Sequence, residues 1–336
     1  MKTCSPPVLT ALSAVVLATA GSGLLMAADP DSGLAARYPG DAGIAKDAKV
    51  VFADDFESGD IAALKHRWTE VNGKTDKILV LAGDSPPGSG GKHALQATAH
   101  PPADSGGHLY KKLDRGYDKL HARFCVKFPD KAGYIHHFVT LGGYRPATAW
   151  AQGGAGDRPR GDDRITVGIE PFGENGRHDP PGIWNFYAYW HEMKISAGNR
   201  YWGNAIAPVT PLKVPAGKWQ CVEMMIALNT APEKADGELA LWLDGQQAMR
   251  IAKGTPRNAW TGLGVTVPEK GGEPFEGFRW RNSMDLQLNF FWLMHYVTQP
   301  AIDRNRREGL PAETRVWFDN IVIATDYIGP VAALKP

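Results

Sequence analysis

The feature that most constrains this chain is a succession of short β-prone runs, rich in Val, Ile, Phe, Trp and Tyr, each closed by a cluster of turn residues. From Val50 onward they cover 50–52, 78–81, 94–97, 122–128, 135–141, 164–170, 183–191, 218–228, 238–243, 284–296 and 315–324. No pattern of helical period and useful length interrupts them. The 38 Gly and 25 Pro are spread without a period, which supplies turns and argues against both a helical bundle and a collagen-like rod. With 43% hydrophobic residues the chain can bury a sizeable core. The expected fold is all-β, a two-sheet sandwich or jelly roll that stays a single domain at this length and has no internal repeat.

The amino terminus reads as a leader. Lys2 precedes an apolar stretch over 8–17 and the small residues Ala18-Thr19-Ala20, the order of a secretory signal. The apolar character continues to Ala28, long enough for an uncleaved anchor as the competing reading. We expect a signal peptide over 1–28, an extension over 29–49 and the jelly roll over 50–330. The product is then secreted or periplasmic, monomeric and free of the membrane after processing. Lys and Arg number 37 against 36 acidic residues, with no basic stripe, so nucleic acid is not expected as a partner. Loss of the leader removes Cys4 and leaves Cys125 and Cys221, each in a strand-like run. They either form one disulfide, which requires neighbouring strands, or stay as two buried thiols. Neither belongs to a metal-binding CxxC or has a local His partner.

Three loops, 142–163, 196–216 and 254–282, are long enough to be functional. Their rings, including Tyr144, Trp150, Tyr201, Trp202, Trp260 and Trp280, fit the rim of a cleft or the packing of the loops onto the sandwich.

The sharpest chemical pattern is the run Ile-Trp-Asn-Phe-Tyr-Ala-Tyr-Trp-His over 183–191. Side chains alternate along a strand, so Asn185, Tyr187, Tyr189 and His191 share one face while Trp184, Phe186, Ala188 and Trp190 share the other. The polar face suits a groove for an extended polymer, although Tyr and Asn are also ordinary on a solvent-facing strand. Asp285, Gln287 and Asn289 alternate with Met284, Leu286 and Leu288 and read as a second wall. Arg164, Thr166 and Glu170 share a face of a third strand, and the run over 134–140 offers His136 or His137, but not both.

The Asp-Asp-Phe-Glu-Ser at 54–58, the Phe-Tyr-Ala-Tyr strand, Gly-Lys-Trp-Gln-Cys-Val-Glu at 217–223, Leu-Trp-Leu-Asp-Gly at 241–245 and Trp-Phe-Asp-Asn-Ile-Val at 317–322 together resemble concanavalin A-like jelly rolls. The resemblance is to polysaccharide lyases that cut glucuronan or alginate, over about 50–328. The Tyr-x-Tyr strand followed by Tyr201-Trp202-Gly203 is the part nearest the lyases, and Tyr187 and Tyr189 match that family's paired tyrosines. Where the family carries basic residues one strand earlier, this chain has Glu170. The resemblance implies an acidic polysaccharide as partner and no catalytic cofactor. It also suggests that Asp55, Glu57 and Asp319 meet where the chain ends pair, an oxygen set suited to a structural Ca²⁺, the alternative being plain turn and edge carboxylates.

The chemistry of the residues is compatible with elimination. Cutting beside a uronate needs a donor for the carboxylate, a base for the proton alpha to it and an acid for the leaving oxygen. The expected roles are His191 or His137 as base or carboxylate partner, Tyr189 as acid or base beside Tyr187, and Asn185, Gln287 and Arg164 as carboxylate contacts. Asn289, Glu170, Tyr201 and Trp202 complete the expected substrate contacts. A tyrosine acts as base only where a cation such as Arg164 favours phenolate. Two rivals stand beside this reading: a glycoside hydrolase, with Glu170 and either Glu174 or Asp285 as its two carboxyl groups, and a noncatalytic carbohydrate-binding module.

Overall fold

In the computed structural model, which describes residues 1, 33–73, 77–173, 176–196, 198–262 and 273–332, the β-prone runs pair into two sheets of eight strands each. The first contains β1 (Val50–Asp54), β3 (Leu79–Ala82), β4 (Ala94–Ala99), β6 (Lys119–Lys127), β11 (Trp219–Ala227), β12 (Glu238–Leu243), β13 (Gln246–Ile251) and β16 (Thr314–Ala324). Its order is β13-β12-β11-β6-β16-β4-β3, with β1 added to β16. The second contains β2 (Glu70–Asn72), β5 (Gly106–Tyr117), β7 (Val139–Tyr144), β8 (Arg164–Phe172), β9 (Ile183–Tyr189), β10 (Asn204–Pro208), β14 (Trp260–Gly262) and β15 (Leu288–Tyr296). Its order is β14-β10-β9-β8-β7-β15-β5-β2. The neighbours are antiparallel, and the inner faces meet in one core that includes Phe124 and Val126 from the first sheet and Trp184, Phe186, Phe291 and Leu293 from the second. The all-β two-sheet expectation holds.

Several elements depart from the sequence reading. The longest strand, β5, was hidden by the charged stretch Lys111-Lys112-Leu113-Asp114-Arg115, which dilutes its alternation. Strands β10 and β14 run inside two segments read as loops. Among the described residues α-helix is confined to α1 (Leu64–Arg67) and α2 (Gln299–Arg307). The second starts where Thr298 accepts a hydrogen bond from the Ala301 N–H with Pro300 in the first turn, a start signal that the sequence does carry.

Cys221 on β11 stands opposite Cys125 on β6, and the two form a disulfide, so the paired alternative is the one realised. Ahead of β1, Leu34, Ala35 and Ile44 pack on Val322, Ala324 and Ile328, seating this part of the extension on the last strand. Apart from Met1, the expected leader over 1–28 lies outside the described residues.

Candidate active site

Antiparallel register sets side chains in rows across the second sheet, on the face away from the core. One row runs Glu70 on β2, Tyr110 on β5, Trp292 on β15, Thr140 on β7, Gly168 on β8 and Tyr187 on β9. Trp292 and Tyr187 are three strand spacings apart, about 14 Å, and only Thr140 and Gly168 lie between them. Small residues between large ones make a trough. The resulting cleft of about 440 Å³ is lined by Arg164, Thr166 and Glu170 of β8, Tyr187 and Tyr189 of β9, and His137 just ahead of β7.

Strand β9 alternates as its sequence predicts. Trp184, Phe186 and Ala188 enter the core, while Tyr187 and Tyr189 line the cleft with their hydroxyl oxygens 3.4 Å apart. Gly203 lies flat on the Tyr187 ring: a Cβ there would stand 2.5 Å from Cε1, so the turn after Tyr201 and Trp202 backs the tyrosine. Burial pushes the Tyr187 phenol well above its ordinary range, and the bond with Tyr189 and the charge of Glu170 add to this. At neutral pH Tyr187 therefore keeps its proton and can donate it.

Glu170 is buried beneath the cleft and 3.1 Å from Nδ1 of His137. Burial pushes its carboxyl upward, while His137 pulls the other way. A carboxylate that accepts a hydrogen bond from Nδ1–H leaves the Nε2 lone pair of the imidazole available. The His137 ring lies 5.3 Å from the Tyr187 ring and stacks on Tyr296 at 6.1 Å. On the other flank, the Arg164 guanidinium stands 5.4 Å from the centre of the Tyr189 ring. It donates to Gly153 O at 3.0 Å and Asp157 O at 2.7 Å, pinning the loop after β7 to the cleft edge. Base, phenols and guanidinium thus meet around a single lining carboxylate among the described residues, Glu170.

Other expected contacts are placed elsewhere. Strand β9 ends at Tyr189, and His191 beyond it is buried against the 158–161 turn, where burial lowers its pKa; it does not line the cleft. Asn185 shares the face of Tyr187 but is buried beside Glu170, its register partner, and is covered. Gln287 precedes β15 and donates to Asp118 at 3.2 Å. Asn289 is buried, accepting from the Tyr144 N–H and donating to the Tyr144 carbonyl, so it holds the end of β7. Asp285 is exposed and pairs with Arg145 at 2.7 Å. Tyr201 belongs to a neighbouring pocket with Arg158 against its ring, and Trp202 is 43% exposed with Arg200 at 5.7 Å. Of the two adjacent histidines His137 lines the cleft; His136 packs at 4.1 Å behind it, its pKa pushed down to about 4 by burial. Glu174 lies outside the described residues.

Of the three carboxylates read as a cation set, Asp55 and Glu57 lie near enough to Asp319 for their charges to act on it. Glu57 accepts from the Lys92 and His93 N–H groups, and Asp55 accepts from Glu57 N. Asp319 is buried with one carboxylate oxygen lacking a hydrogen-bond partner, and its pKa is pushed up to about 9, chiefly by burial. Among the described residues no group of three or more His, Cys, Asp or Glu side chains is placed to hold a metal.

The residues missed by sequence reading are His108 of β5 and a set from β15. Leu286 and Leu288 point into the core, as their alternation requires, but so do Phe291 and Leu293. The register shifts between Leu288 and Phe290, and this bulge reverses the parity. Hence Trp292, Met294 and Tyr296 line the cleft instead of the polar face extrapolated from Asp285, Gln287 and Asn289. Only the irregular pairing with β5, itself unread, carries that information.

Two solved structures of the alginate lyase Aly36B, variants bound to an alginate tetrasaccharide and an alginate trisaccharide, resemble this fold with TM-scores of 0.52 and 0.50, each at 12% identity. They span 82% and 83% of this chain and 97% and 99% of their own. The alginate lyase vAL-1 from a Chlorella virus, 14% identical, spans 81% of this chain and all of its own at a TM-score of 0.49. No family model matches the sequence, and no curated protein does. The two Aly36B structures establish the architecture as the jelly roll found in alginate lyases.

Proposed function

We propose that the chain is a polysaccharide lyase that cuts an acidic, uronate-containing polysaccharide by β-elimination, and that residues 1–28 direct it to the periplasm or the exterior, where it acts as a monomer. One observation carries the catalytic reading: a histidine anchored through Nδ1 to a buried glutamate stands directly beside a pair of tyrosines, one of them held protonated, on one wall of an open trough. His137 Nε2 takes the proton from the carbon alpha to the uronate carboxylate. The electron pair forms the new C=C bond as the C–O bond to the next sugar breaks, and a phenol of the Tyr187–Tyr189 pair protonates the departing oxygen. Arg164, fixed at the edge by the loop carbonyls, is the cation for the carboxylate. Glu170 no longer argues against an anionic substrate, because it lies under His137 and spends its charge there.

A hydrolase needs a second carboxyl about 5–10 Å away across the bond, and the described lining offers Glu170 alone, itself engaged by His137. The test is incubation with a panel of uronate polysaccharides while following ultraviolet absorbance and reducing ends together. Elimination raises both; reducing ends without absorbance would replace this reading by hydrolysis, and neither by a binding module. A structural Ca²⁺ held by Asp55, Glu57 and Asp319 belongs to the same proposal, with main-chain oxygens and water completing its shell.

A further inference from the structure

Trp292 stands on the far side of the trough from the tyrosines, on the bulge-reversed face of β15. Its ring is fixed from below by Tyr110, Tyr144 and Phe290, which form a small apolar cluster of their own. Its indole N–H is buried and has no hydrogen-bond partner, although an unmet buried donor is costly. Edge-on to it, 5.4 Å between ring centres, is His108 of β5, which also lines the cleft. Nε2 of His108 is buried without a hydrogen bond, 3.5 Å from the Glu70 carboxylate of β2. A donor that cannot accept and an imidazole therefore meet in the lining at one end of the cleft, with a carboxylate that cannot donate, Glu70, just behind the imidazole.

We infer that Trp292, His108 and Glu70 form a substrate subsite that reads a sugar hydroxyl rather than a carboxylate. A hydroxyl is both acceptor and donor, so one group can take the Trp292 N–H and give its proton toward His108 or Glu70. A uronate carboxylate could satisfy Trp292 but would meet the charge of Glu70. This inference rests on the proposed saccharide-binding role of the cleft and refines it: the charged recognition sits at Arg164 on β8, and two strand spacings away, on β15, the site selects hydroxyl pattern.

The test is calorimetric binding of a glucuronan tetrasaccharide and of its carboxyl-reduced counterpart, using wild type and Trp292→Phe, which keeps a ring on the apolar cluster and removes the N–H. Trp292→Phe should weaken both ligands by the same factor, about 5–10-fold, with an unchanged melting temperature. His108→Gln, which leaves the Trp292 ring untouched, should weaken both as well. Loss for the acidic ligand alone, no loss for either, or no binding of either by wild type would overturn the hydroxyl subsite. Should the wild type bind both yet release no absorbing product from any uronate polymer, elimination fails while the subsite stands or falls on the same binding comparison.

Discussion

The outer faces of the two sheets are covered in different ways. On the first sheet Arg123 is fully buried and donates to the Asp41 carboxylate and to the carbonyls of Asn320 and Gly329. Beside it Glu223 accepts from the Ile328 and Gly329 N–H groups, each at 2.9 Å, and pairs with His121 at 2.7 Å. Segments from both ends of the chain cover that face and meet its charges. On the second sheet the described residues leave a cleft open, and Trp292 and His108 in its lining keep ring nitrogens without a hydrogen bond, whereas the unmet atoms of the first sheet, on His121, Asp319 and Asn320, lie away from that cleft. Polar groups that the fold has satisfied stabilise it; those left unmet in the lining of a cleft are where a ligand gains by binding.

The largest effect that would break this contrast is Tyr189→Phe. It should reduce kcat by about 10²–10⁴-fold while the thermal transition stays in place, as ultraviolet product formation and calorimetry would show. Full activity in Tyr189→Phe together with inactivity in Glu170→Gln would transfer the site to hydrolysis. The mirror experiment is Arg123→Leu. Because it leaves Asp41 without its buried partner, it should cost about 3–5 kcal/mol of stability, measured by denaturant titration, with little change in kcat of the folded fraction. A catalytic loss without a stability loss would mean that the two faces are not independent.

Replacing both Cys125 and Cys221 by Ser should lower stability by about 2–4 kcal/mol and spare the cleft, since the bond ties β6 to β11 in the first sheet. A smaller effect is expected in acid. Burial holds His136 and His295 near a pKa of about 4, below the unfolded value of about 6.5. The unfolded chain binds more protons in that window, so stability rises with pH between about 4 and 6.5 and is lost as pH falls through it. His295→Gln should flatten the slope of melting temperature against pH; an unaltered slope would show that His295 is protonated in the fold.

Asp319 has the opposite sign. With a folded pKa of about 9 against about 3.9 unfolded, the folded chain binds the extra proton, and stability declines as pH rises between those values. Added Ca²⁺ at pH 8 should raise the melting temperature of the wild type by a few degrees and leave Asp319→Asn unmoved. Equal curves for the two would remove the cation.

Local pattern made part of this molecule legible. Alternation on β9 is strict, so the chain itself dictates that Tyr187 and Tyr189 face away from Trp184 and Phe186, and on β8 Arg164, Thr166 and Glu170 share a face by the same rule. The strand series dictates an all-β sandwich because runs of that length and spacing can bury their apolar faces only against one another. What alternation cannot reveal is where a strand stops or changes register. His191 follows the end of β9 and leaves the cleft, and the bulge in β15 exchanges Asn289 for Trp292. Nor could the sequence choose between His136 and His137, because neither lies in a strand and the choice depends on Glu170, thirty-three residues away, receiving one ring. Facing is set by the nearest neighbours along the chain, whereas register and side-chain partnership are set by strands distant in sequence, and only the folded sheet brings those together.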